Sequence, residues 1–294
     1  MSSTALIEAI VDGILTGGVY ALMAAGLTLI FGVMDIINIA QGVMVILGAY
    51  LSFELSVHVG IGLLPGILIT VPVMFLVGVA IEYFFMRRLR DQDRTQMSIL
   101  VTYAVAIVIE GVLTAIFGVN YQQLSASYVS SSVHVLGFYL PDIYLIGFAL
   151  AVVLMAALYY LLYRTKFGRA VRASLQNRTA ADLIGVEVDR VRTISVGIGV
   201  AVTAVGGMVF GATNSFNPNT GYDLISRLLA IVILGGMGSI GGAMAGAIFL
   251  LVINDVVAVA WSPTWAPLVY FAALVVVLSI RPQGLFGRSA VRAQ

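Results

Sequence analysis

The sequence predicts an all-α, polytopic transmembrane protein with about eight hydrophobic segments, at least one of them broken or re-entrant. Three observations carry this. Of 294 residues, 61% are hydrophobic and only 10% charged, where a soluble domain carries about a quarter charged residues. The apolar runs are long and lack the alternation of barrel strands, so buried backbone groups must be satisfied within helices. Finally, the positive charge is gathered into three short loops.

The runs lie at about 8–31, 36–57, 61–86, 96–118, 142–163, 193–213, 228–257 and 264–280. Most are long enough to cross a hydrocarbon core of roughly 30 Å. No connecting loop approaches the ~50 residues that an independent core takes. A single transmembrane domain over residues 1–294 is therefore expected, with 164–192 as its main extramembrane loop. The first run has no Lys or Arg before it and carries Glu8 and Asp12, unlike a cleavable signal peptide, so the first span is expected to stay.

Of the 15 Lys and Arg residues, Arg87, Arg88, Arg90 and Arg94 form one cluster, and seven lie between Arg164 and Arg192. Arg281, Arg288 and Arg292 follow the last span. The positive-inside rule makes all three regions cytoplasmic. Two runs separate the first two clusters, which agrees. Three runs separate the second and third, an odd number, so one of them is not a simple crossing. The run 228–257 is the candidate, because Gly235, Gly236, Gly238, Gly241, Gly242 and Gly246 crowd around Ser239 and glycine both breaks helices and permits close packing. Gly32, Met34, Ile37 and Ala40 echo the register of Gly235, Met237, Ile240 and Ala243, and paired interrupted segments point to a transport pathway. The side of the N-terminus stays open at this point.

Few residues carry chemistry. The net charge is +1, and no basic patch calls for nucleic acid. There are no cysteines, which excludes disulfides and thiolate sites. His58 and His134 have no metal-ligand spacing around them. No nucleotide-binding or hydrolase motif is present, so ATP hydrolysis is not expected on this chain. Asn38 and Gln41 share a helix face, with Gly42 beside them. They read either as amides lining a passage for a polar solute or as interhelical hydrogen-bonding residues. Glu110 and Asp255 sit within apolar runs, where carboxylates are costly; structural or interfacial placement is the expectation. Glu82 is expected to form an exposed ion pair with Arg87 or Arg88. Arg227 is expected to snorkel to an interface or pair with Asp223.

The loop Thr165-Lys-Phe-Gly-Arg-Ala-Val-Arg-Ala-Ser174 runs on to Gln176-Asn-Arg-Thr-Ala-Ala-Asp-Leu-Ile-Gly185 and is too patterned for a passive linker. Thr179 with Asp182 approximates a capping box, and Gly185 is placed to end a short helix. Its face carries Ala180, Ala181, Leu183 and Ile184. Flanked by Arg169 and Arg172, such a helix suits docking to a cytosolic partner; the alternative is an interfacial helix on anionic lipid.

Four ordered motifs resemble the signatures of LivH-type permeases: Asp35-Ile-Ile-Asn-Ile-Ala-Gln-Gly42, the Gly168-Arg-Ala-Val-Arg-Ala173 to Asp182-Leu-Ile-Gly185 loop, Leu234-Gly-Gly-Met-Gly-Ser-Ile-Gly-Gly-Ala243, and Arg281-Pro-Gln-Gly-Leu-Phe-Gly287. The resemblance covers essentially the whole chain. It implies one permease subunit of a branched-chain amino acid ABC importer in the bacterial inner membrane. Its implied partners are a LivM-type sister permease, two ABC ATPase subunits holding ATP and Mg, and an extracytoplasmic solute-binding protein. It also implies that Gly168, Arg169, Arg172, Ala173, Asp182, Leu183 and Gly185 couple to the ATPase. The amide pair and the glycine element make Asn38, Gln41, Gly42, Gly235, Gly236, Gly238, Ser239 and Gly241 the residues expected to shape the passage. Gln41 stands where many members have His, and Gly241 where many have Pro. The competing reading is a self-sufficient carrier or channel, which needs ion-coupling groups inside the spans.

Overall fold

The computed structural model describes residues 3–34, 36–89, 94–126, 129, 131–135 and 138–286. Asp35, Arg90, Gly287, Arg288, Arg292 and the side chains of Arg94 and His134 lie outside the described residues. The described residues are mostly helical: α1 (Ser3–Met34), α2 (Gln41–Val57), α3 (Leu63–Ile81), α4 (Arg94–Phe117), α5 (Asp142–Arg164), α6 (Lys166–Gln176), α7 (Arg178–Leu183), α8 (Val188–Thr213), α9 (Thr220–Gly235), α10 (Ile240–Ala260) and α11 (Ala266–Ile280). A π-helical turn, Glu82–Met86, continues α3. Among the described residues, the one sheet is a small antiparallel hairpin of β1 (Ser132–Val135) and β2 (Phe138–Pro141) between α4 and α5. Among the described residues, six helices are long and apolar enough to cross a membrane, with α2 and α11 shorter.

Among the long spans, burial sets two inner helices apart from more exposed ones. The apolar windows of α1 and α8 are 83% and 89% buried, against 22% in α3, α4 and α5. Glycines explain the central position. In lipid, helices associate through close backbone approach rather than a hydrophobic drive. A Cβ on Gly13 or Gly17 would lie 2.6 or 2.7 Å from the Cα of Val252 or Ile248, so the Gly13-x-x-x-Gly17 edge of α1 presses directly on α10. On the other side, Gly26 abuts the Gly199 carbonyl of α8, and Gly206 abuts Met23.

These contacts fix direction. Residue numbers rise along α1 as they fall along both α8 and α10, so Met34 shares an end of the bundle with Val188 and Ile240. That end follows the basic loop 164–192 and is therefore cytoplasmic. The start of α1 lies at the opposite, extracytoplasmic end.

The glycine-rich run is broken, as its composition predicts, and the break is a hairpin. Gly235 packs on Gly242, and Gly246 lies against the Ile231 carbonyl, so α9 and α10 are antiparallel. The turn uses Gly236 at φ 97° and Gly238 at φ 82°, backbone conformations that glycine alone adopts cheaply. The odd parity is thereby resolved: the single run 228–257 holds parts of two legs, down to the cytoplasmic face and back.

An inverted repeat emerges that the sequence pairing missed. α1, α2 and α3 follow the same plan as α8, α9 and α10. In each half a long central helix, an irregular segment and a short helix lead to a helix packed on the other half's central helix. Thus α10 packs on α1 at Gly17, and α3 packs on α8 where Gly78 meets Gly197. The irregular segment 36–40 therefore corresponds to 214–219, not to the glycine turn. The echo of Gly32–Ala40 in Gly235–Ala243 is instead a spatial contact, with Gly32 against Gly238.

Three local expectations are corrected. The cap of α7 is Asn177, whose side chain accepts from the Ala180 amide at 3.0 Å, rather than Thr179; Gly185 ends the helix as expected, at φ 86°. Glu82, in the first position of the π-helical turn, is buried rather than exposed, and Arg87 pairs with Asp189. Arg227 lies beside Tyr20 rather than pairing with Asp223.

Candidate translocation site and cytoplasmic docking face

The first turn of α2 begins inside the bundle, with Ala40 through Ile46 all buried. Asn38 donates from Nδ2 to Gln41 Oε1 at 3.1 Å. Gln41 in turn donates from Nε2 to Thr203 Oγ1 on α8 at 2.5 Å, and that hydroxyl donates to the Gly199 carbonyl at 2.8 Å. Each group passes its polarisation to the next, and in a dry interior such a chain is strong when satisfied and costly when cut. Gly26 makes room for it: a Cβ there would overlap Thr203 Oγ1 and the Gly199 carbonyl. In this conformation both amides are therefore hydrogen-bonded, Gln41 across to α8 and Asn38 to Gln41 beside it. One acceptor is left over, the Asn38 Oδ1, buried and without a partner among the described residues.

Beside this chain the short helices of the two halves meet end to end. Gly42, in the first turn of α2, packs on the carbonyl of Gly221, in the first turn of α9, while Gly221 packs on the Val43 Cα. Asn217 and Thr220 bond each other reciprocally where the chain enters α9, at 3.0 and 3.1 Å. Towards the extracytoplasmic end, Tyr50 stacks on Phe117 at 4.3 Å and meets Phe216 edge-on at 5.0 Å. Phe216 is held there by main-chain bonds to Gln122 at 2.8 and 2.9 Å. The segment 214–219 is thus partly an inward-folded plug rather than an ordinary exposed turn.

The other candidate pathway residues lie at the cytoplasmic turn. Gly235 and Gly236 are buried in it, Gly238 touches Gly32, and Ser239 caps α10 by accepting from the Gly242 amide at 3.1 Å. Gly241 is exposed, and a Cβ there would meet nothing within 4 Å. Asn38, Gln41 and Gly42 are thus brought together at the start of α2, and the glycine group forms a separate cluster at the turn.

A second polar group joins α1, α9 and α10. Asp255 Oδ2 accepts from Thr16 at 3.4 Å and its Oδ1 accepts from Asn254 at 3.0 Å. Arg227 Nη1 stands 3.5 Å from the Tyr20 hydroxyl, and Tyr270 donates to the Arg227 carbonyl at 3.0 Å. The intramembrane Asp255 thus lies among hydrogen-bonding neighbours on α1 and α10. Glu110 of α4 meets the Tyr222 hydroxyl of α9.

On the cytoplasmic face, α6 is capped by Thr165, whose Oγ1 accepts from the Gly168 amide at 3.2 Å. Gly168 is buried because a Cβ would overlap the Leu162 carbonyl at the end of α5. Arg172 donates to that same carbonyl and lies over the Tyr163 ring at 5.5 Å, so its head group anchors the loop. Arg169 and Asp182 point to solvent, and Ala173 is half-buried. Leu183 and Ile184 are 84% and 76% exposed, a large apolar surface on a six-residue helix. Asp189 of α8 holds this platform to α3, bonding Arg87 at 3.2 Å and Arg178 of α7 at 3.4 Å.

Residues 9–278 match the family described as the permease component of branched-chain amino acid transport systems. The chain belongs to this family. It is 29% identical to the LivH permease protein of the high-affinity branched-chain amino acid transport system of Salmonella typhimurium, over 95% of each chain. It is 27% identical to the BraD permease protein of the corresponding Pseudomonas aeruginosa system, over 97% of each. It is 30% identical to a probable branched-chain amino acid permease protein LivH of Methanocaldococcus jannaschii, over 79% of this chain and 75% of the relative. The protein is a multi-pass membrane permease component.

For this permease component, sequence reading missed Thr203, Gly26, Gly221 and Asp189. Thr203 lies 162 positions from Gln41 inside an apolar helix, where a threonine is unremarkable. Gly26 and Gly221 are two glycines among 31. Only Asp189, an acid inside the basic loop, carried a usable signal.

Proposed function

We propose that this chain is one of two membrane subunits of an ATP-driven importer of branched-chain aliphatic amino acids in the bacterial cytoplasmic membrane. It works with a LivM-type sister permease, two ABC ATPase subunits that bind ATP and Mg, and an extracytoplasmic binding protein that delivers the solute. The observation that carries this reading is the pair Leu183 and Ile184, exposed on a capped helix that is fastened to α5 by Arg172 and to α8 and α3 through Asp189. An apolar tip on a braced helix fits the groove of a cytosolic motor and carries its movement into α8, the most buried helix.

In this reading Asn38, Gln41 and Gly42 guard the passage at the meeting of α2 and α9. The Asn38–Gln41–Thr203 chain is the closed state of that gate, and alternating access separates α2 from α8 and frees the amides for the solute. The test is reconstitution. Isolated from native membranes, the chain should bring down two ATPase subunits and a sister permease, and vesicles should accumulate leucine only with binding protein and ATP. Uptake by this polypeptide alone, without ATP, would make it a self-sufficient carrier instead.

A further inference from the structure

The motif that follows α11 has no place in the docking or gating scheme, and its geometry gives it one. Beyond Ile280 the chain turns back across the end of α9. The Leu285 amide donates to the Leu234 carbonyl at 2.7 Å, and the Phe286 amide donates to the Gly235 carbonyl at 3.2 Å. These are two of the last carbonyls of α9, which have no partner within the helix. Gly284 makes the approach possible. It is buried at φ 79°, a conformation in which any side chain is strained, and a Cβ there would lie 2.5 Å from the Ile233 carbonyl and 2.8 Å from the Gly236 amide. Main chain thus lies on main chain at the root of the glycine turn.

We propose that Arg281–Phe286 is a strap, positioned by Gly284, that fixes the cytoplasmic turn of α9–α10 to α11 so that these three helices move together during transport. The α9–α10 turn needs such a tie. Two of its residues are glycines with positive φ, and on its far side Gly238 lies against the Gly32 backbone of α1. The strap adds a constraint through two directional bonds. Its effect reaches the gate because the other end of α9 carries Gly221, which seats Gly42. A loosened turn leaves motor movement undelivered to α2.

This inference rests on the importer reading, and the experiment separates the two. The full complex is reconstituted with its ATPase subunits and binding protein, and ATP hydrolysis and leucine uptake are measured together. Leu285→Pro deletes the amide that bonds Leu234, while Leu285→Ala keeps it. Leu285→Pro should lose about tenfold in uptake, the equivalent of one buried hydrogen bond, with hydrolysis retained; Leu285→Ala should transport nearly normally. Gly284→Ala should behave like the proline variant, and Gly60→Ala, at a positive-φ turn with open space around it, should not. Equal uptake per ATP in Leu285→Pro and wild type overturns the strap, as does equal impairment in Leu285→Ala. If the variants fail to assemble, hydrogen exchange on the wild-type complex decides: the Leu285 and Phe286 amides should stay protected with and without nucleotide, and free exchange in either state rejects a permanent tie. Absence of ATP-dependent uptake by the wild type would instead reject the importer reading.

Discussion

Gly42 of α2 and Gly221 of α9 stand back to back, so close that a Cβ on Gly42 would overlap the Gly221 carbonyl oxygen. The two short helices of the inverted repeat thus meet through bare backbone at the centre of the molecule. Gly42→Ala should force α2 and α9 apart and cost about 1–3 kcal/mol, the usual penalty of overpacking. Thermal unfolding of the purified protein in detergent is the check. A midpoint equal to wild type would mean that the contact is not tight in the membrane protein.

Thr203 should behave as a hydrogen-bonding residue, not a packing one. Thr203→Val keeps the shape but leaves the Gln41 amide buried without its acceptor, a loss of about 1–3 kcal/mol, whereas Thr203→Ser keeps the hydroxyl. The expected order of unfolding midpoints is wild type near Ser, both above Val. If Val matches Ser, the bond between Gln41 and Thr203 contributes little.

The glycines of the cytoplasmic turn should divide sharply. Gly235→Ala drives a methyl into the Gly242 backbone, and Gly241→Ala meets nothing within 4 Å. Membrane yield and uptake should fall for the first and stay near wild type for the second. Equal loss in both variants would contradict the hairpin packing.

Docking should depend on the exposed tip of the loop. Arg169→Glu and Leu183→Glu should weaken co-purification of the ATPase subunits and lower uptake about tenfold or more, on the scale of a lost interface anchor, without altering insertion. Normal uptake in both would end the coupling role of α6 and α7. Asn177→Ala should act more mildly, since removing a cap costs about 1 kcal/mol. Its signature is faster amide exchange in α7.

Much of this architecture was legible in the chain itself. Helical spans follow from long apolar runs without alternation, because lipid offers no partner for backbone groups. The cytoplasmic side follows from eleven arginines and lysines in two loops, four and then seven. The break near Gly236 follows from composition, since few other residues make such a turn. All of these are local properties, readable within one segment.

Partnership between segments was decided only by the tertiary structure. Which helix face meets which depends on shape, and apolar surface gives little guidance when lipid is as apolar as a leucine side chain. So the bond from Gln41 to Thr203, the meeting of Gly42 with Gly221, the burial of Glu82 and the clasp of Leu285 on Leu234 had no signature in the spacing of residues. The side of the N-terminus belongs here as well. Charge alone left it open, and the antiparallel packing of Gly13 and Gly17 on α10 settled it.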